Sequence, residues 1–179
     1  METAAVSTKV KDAIVPQRSL WFYTATATVP VILIVGVILL TKIRGVRLAL
    51  LTSLGAVASA IGLGRLLYEL TLDVAGAPEY KLPIWSVFYL IVYVVSFFTF
   101  VFFAMHIDNP GTHFGGFSGE GTRFAFVDSL YTSMWYYIGS APDGSIQVKT
   151  QRARMLTVIE GLISMFINVV IITKFVSAF

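Results

Sequence analysis

Apolar residues come in four long runs, 20–40, 46–68, 84–105 and 155–172, and glycine, proline and charged residues concentrate between them. A hydrocarbon core about 30 Å thick takes roughly 20 helical residues at about 1.5 Å each, so each run predicts a transmembrane helix. The last run is a little short, and its flanks, Ala153 on one side and the long Lys174 side chain on the other, extend it toward the interfaces. A fifth apolar stretch, RFAFVDSLYTSMWYYIG at 123–139, sits between the third and fourth runs. It is too short to cross and return as two helices.

Composition agrees with the pattern: 56% of residues are hydrophobic, 13% are charged and the mean hydropathy is +0.80, which excludes an ordinary soluble domain. The first run is about twenty residues long and a second follows after TKIRGVR, so a retained helix is expected in place of a cleaved signal peptide. No cysteine is present, which excludes disulfides, thiol chemistry and cysteine-held clusters. The net charge of +3 comes from basic residues that flank the apolar runs without forming a phosphate-tracking face, so membrane lipids and not nucleic acid are the expected partners.

The runs differ in texture. Residues 1–18 read as a tail and 19–72 as a pair of transmembrane helices. Thr24, Thr26 and Thr28 can bond back within the first helix and Pro30 can bend it. Gly55, Gly62 and Gly64, among alanines and serines, predict that the second helix approaches a neighbour closely. Arg65 precedes Glu69 by one helical turn and is placed to pair with it or to snorkel. Asp108, His106 and His113 raise the question of a metal, but their spacing matches no ligand motif, so no metal or other cofactor is expected. Nucleophile-elbow, phosphate-loop and dinucleotide patterns are also missing, and no enzyme is expected.

Two readings fit the fifth stretch. One is an amphipathic helix lying on the membrane surface. The other is a short helix that enters the bilayer and returns as non-helical chain, permitted where protein surrounds it or water lines it, with Trp135, Tyr136 and Tyr137 as an aromatic packing layer. The order long helix, short helix, glycine-containing return, long helix favours the second. The fold class expected is an all-α membrane protein with four transmembrane helices and a re-entrant pore helix between the third and fourth.

From residue 84 onward the chain resembles the pore module of the tetrameric potassium-channel superfamily: outer helix, pore helix, selectivity filter, inner helix. SLYTS, Ser129 to Ser133, is similar to the family's ALYFS, and GSIQVKT, Gly144 to Thr150, with Arg152 and Arg154 following, is similar to its GDIVPKT. Gly161 and Ser164 stand where the inner helix often carries a small, flexible residue, which makes Gly161 a hinge candidate. The resemblance implies a homotetramer in the cell membrane, a multi-pass chain with cytoplasmic termini, and a filter at Ser140, Ala141, Pro142, Asp143 and Gly144, in the places of TVGYG.

Those five residues depart from the family pattern. A potassium filter strips the ion with consecutive carbonyl rings, whereas Pro142 fixes φ and has no amide hydrogen, so strict potassium selectivity is not expected. Four copies of Asp143 would instead ring the path with carboxylates suited to a partly hydrated monovalent or divalent cation; alternatively Asp143 belongs to an exposed turn. Glu160 and Asn168, eight residues apart, share a face of the last helix and either line the pore or make polar contacts between helices. Lys42, Arg44 and Arg47 would lie outside in this topology, against the positive-inside rule. An oligomeric carrier and a nonconducting membrane assembly subunit are the competing functions.

Overall fold

The computed structural model describes residues 17–41, 44–74, 84–117, 121–142 and 144–177. Among the described residues there are five helices: α1 (Gln17–Leu40), α2 (Val46–Val74), α3 (Ile84–Asp108), α4 (Thr122–Tyr137) and α5 (Gln151–Ser177). Three of them are long and apolar enough to cross a membrane, over Val46–Thr71, Phe88–Asp108 and Gln151–Thr173; a shorter apolar stretch, Thr28–Leu40, belongs to α1. The protein is therefore mostly helical and compatible with a bilayer. The last helix begins at Gln151, four residues before the apolar run, and so reaches spanning length by recruiting its polar start.

α2 and α3 pack antiparallel, and glycine is the reason they can. A Cβ on Gly55 would lie 2.5 Å from the Phe100 ring, and one on Gly62 would lie 2.6 Å from the Tyr93 ring. Removing two methyl groups lets the α3 aromatics rest on the α2 backbone, which gives close dispersion contact where lipid supplies no hydrophobic drive. Tyr93, Phe98 and Phe102 then continue into one core with Leu66, Leu90 and Ile167, while Phe100 and Phe103 join Val31, Leu48 and Phe126 in a second. α3 is the central element: 44% of its spanning window is buried, against 22% for α5.

Many polar side chains within the helices bond within their own helix or to a neighbouring one. Thr28 of α1 meets the Tyr93 hydroxyl of α3 at 2.7 Å. Arg65 Nε donates to Glu69 Oε1 at 3.1 Å, the one-turn pair read from the sequence. Thr52, Thr99, Ser129 and Thr132 each donate to a carbonyl one turn earlier, which conceals their hydroxyls.

The all-helical expectation misses one feature. Two strands of two residues each, β1 (Phe114–Gly115) before α4 and β2 (Gln147–Val148) after it, pair antiparallel with Phe114 opposite Val148 and Gly115 opposite Gln147. Lys149 N–H donates to the His113 carbonyl at 2.9 Å, and His113 Nδ1 meets Thr150 Oγ1 at 2.8 Å. Gly116 sits beneath this pairing at φ +83°, where a Cβ would fall 1.6 Å from the Ser145 carbonyl oxygen. Only glycine fits that backbone and that space. Because β1 follows α3 and β2 precedes α5, the end of α3, the start of α4 and the start of α5 come together at one end of the bundle, here called the loop end. Arg123 of α4 donates to the Leu40 carbonyl at 3.1 Å, which brings the end of α1 to the same place.

Candidate functional site at the seam of α4 and α5

α4 has 16 residues and is about 24 Å long, short of a hydrocarbon core. Its end is defined by Gly139 at φ +79°: Gly139 N–H donates to the Tyr136 carbonyl at 3.1 Å and Ser140 N–H to the Trp135 carbonyl at 3.0 Å. These are the paired bonds of a Schellman cap, in which glycine takes the left-handed position. From there the chain travels back, without helix, to β2 at the loop end where α4 began. Along this return Ser140, Ala141 and Gly144 are exposed, and Pro142 is buried with Ile146. Asp143 lies outside the described residues.

The side of α4 turned toward α5 carries the polar contacts. Ser133 Oγ is hydrogen-bonded to Glu160 Oε1 and is also 3.1 Å from the Val95 carbonyl of α3. Ser133 has one hydroxyl proton and both neighbours can accept. Both bonds hold together when Ser133 donates to Val95 and the Glu160 carboxyl carries its own proton and donates to Oγ. Glu160 is fully buried, its second oxygen has no partner among the described residues, and Ser164 Oγ donates to its backbone carbonyl at 2.8 Å. One residue triad thus ties three helices.

Farther along, the Tyr137 hydroxyl donates to Asn168 Oδ1 at 3.2 Å. Glu160 and Asn168 therefore share a face, as their spacing predicts, and that face meets α4. In this chain both make the interhelical polar contact; neither projects onto the open apolar face of α5, which presents Val158, Leu162, Met165 and Val169. Tyr136 lies beside Glu160 and Thr157, and Trp135 packs edge-on against Tyr131 with ring centroids 5.9 Å apart. The helix runs unbroken through Gly161, and a Cβ there would meet open space.

His106 and His113 do not converge. His113 is a strut to Thr150, the His106 ring lies tilted against Phe117 with centroids 5.0 Å apart, and among the described residues no three His, Cys, Asp or Glu side chains come together to hold a metal. Two features escape the sequence reading. Ser133 was visible only as part of SLYTS, and Gly139 only as the last letter of an aromatic run; a polar residue at each of 129, 132 and 133 and a glycine closing the helix were the available signals.

No family model, curated protein or solved structure matches the chain, so the functional reading rests on this geometry.

Proposed function

We propose that the chain is one subunit of a homotetrameric cation pore in the cell membrane, with four transmembrane helices, α4 as a re-entrant pore helix and residues 140–144 as its narrow part, and without strict selectivity for potassium. One observation carries this reading: a helix too short to span, capped by Gly139, whose chain returns to the end it started from between the antiparallel helices α3 and α5. A non-helical leg at membrane depth cannot face lipid, because its peptide groups would lack partners. Copies of the same chain arranged around an axis would cover it. The exposed Ser140, Ala141 and Gly144 and the open apolar face of α5 are the surfaces that such an arrangement would bury.

The filter chemistry follows from the same residues. Pro142 fixes φ and has no amide hydrogen, so the usual ladder of stripped-ion carbonyl rings is not carried over to these residues. Selection then falls to Asp143, whose carboxylates would attract cations by charge. Single-channel recording from the protein in planar bilayers is the test. The expected result is discrete cation currents that Asp143→Asn reduces in conductance and shifts in monovalent against divalent preference; unaltered currents in the variant would remove residues 140–144 from the path. Saturable, stoichiometric exchange without discrete currents would establish the carrier, and neither activity the nonconducting subunit.

A further inference from the structure

Beside the seam, at the loop end, a cleft of about 480 Å³ opens between the start of α2, the end of α3, the loop carrying β1 and the start of α4. Its floor is apolar, formed by Leu48, Phe103, Phe114 and others, and its rim carries Arg44 and Lys149. No described lining residue is acidic. Lys149 lies across Gly115, where a Cβ would meet Cε at 2.6 Å, and gives one hydrogen bond to the Gly111 carbonyl at 3.1 Å; an ammonium group has two more to give. Arg44 is exposed, with no hydrogen bond or ion pair among the described residues. His106 lines the same cleft, and its Nδ1 is buried without a partner among the described residues. Buried polar atoms are partnered in the great majority of cases, so this nitrogen is open to a polar group of a ligand in the cleft.

The start of α4 adds to these groups. Gly121 and Thr122 border the cleft, no side chain caps the helix, and its first turn has no acidic residue, so its first amide hydrogens and the positive end of its dipole are left toward the opening.

We propose that this cleft binds a phosphate-type oxyanion, held by Arg44, Lys149 and the first turn of α4. The apolar floor beneath a cationic rim fits the phosphodiester of an anionic lipid, with glycerol and the first acyl carbons against Leu48, Phe103 and Phe114. The candidate spans of α3 and α5 end and begin at Asp108 and Gln151, so in a bilayer the rim would lie at headgroup depth. Free inorganic phosphate has the same charged oxygens and lacks the apolar part. The inference does not depend on conduction: a chain that passes no current would still bind.

The full-length protein is placed in nanodiscs of phosphatidylcholine alone, of phosphatidylcholine with phosphatidylglycerol, or of phosphatidylcholine alone with inorganic phosphate added. Native mass spectrometry counts retained phosphatidylglycerol, and the shift in melting temperature reports either ligand. Wild type is expected to retain phosphatidylglycerol, with about tenfold weaker retention for each cation lost in Arg44→Gln and Lys149→Gln. Arg152→Gln removes a charge at the same end but away from the cleft and is expected to change nothing. The paired exchange Arg44→Lys with Lys149→Arg keeps both charges and is expected to bind, which separates loss of binding from loss of fold. Stabilisation by inorganic phosphate in phosphatidylcholine alone, with the same dependence on Arg44 and Lys149, would assign the oxyanion to solution and uphold the site. Equal loss in Arg152→Gln, or no response to either anion, would overturn it.

Discussion

A carboxyl group inside an apolar helix bundle is costly to keep unless its hydrogen-bonding capacity is used, and among the described residues only one oxygen of Glu160 has a partner. Ser133 is therefore the residue on which the burial depends. Ser133→Ala leaves that oxygen unpaired too and is expected to destabilise the protein by about 1–3 kcal/mol. In a Glu160→Gln background the same substitution should cost a different amount, and a double-mutant cycle read by thermal unfolding in detergent should give a coupling of about 1 kcal/mol or more. Simple additivity would mean that the two side chains do not act together. The proton assignment has its own readout: a protonated-carboxyl stretch in the infrared spectrum, lost in Glu160→Gln. The sequence exposed half of this. The eight-residue spacing put Glu160 and Asn168 on one face, because helical periodicity is local, but the partners Ser133 and Tyr137 are separated from them by 27 and 31 positions, and no local rule reaches that far.

At the scale of elements, the runs of apolar residues marked the long helices because length and hydropathy alone decide whether a helix can span. The Arg65–Glu69 pair was legible for the same reason, being one turn apart on one helix. The pairing of β1 with β2 was not. Its strands have two residues each and no alternation to read, and their pairing depends on Gly116 letting Ser145 approach. Gly116→Ala is expected to break this pairing, since both the positive φ and the 1.6 Å approach exclude a Cβ. Hydrogen exchange should then accelerate at Lys149, whose amide bonds the His113 carbonyl, while amides in the middle of α3 stay protected. Retained protection at Lys149 would show that the helices, and not the strands, hold the return leg.

At the scale of the whole molecule, a single chain leaves Ser140, Ala141, Gly144 and one face of α5 uncovered, and the proposed tetramer is the arrangement that buries them. Native mass spectrometry should give four copies, and crosslinks through a cysteine placed at Ser140 should form between copies; a monomer with no crosslink would end the pore reading. Orientation is an independent matter. Arg44, Arg47, Arg123, Lys149, Arg152 and Arg154 gather at the loop end, which the positive-inside rule would place in the cytoplasm, whereas the proposed pore places it outside. A cysteine beside Arg44 is expected to react with a membrane-impermeant label added outside intact cells, and labelling only after permeabilisation would reverse the topology. Length and hydropathy along the chain were enough to mark a mostly helical chain compatible with a membrane and a short fifth element, because crossing a bilayer constrains each segment separately. Where that short helix turns back, which face of α5 holds Glu160, and how the loop end gathers its charge depended on contacts between segments distant in sequence, and only packing brings those together.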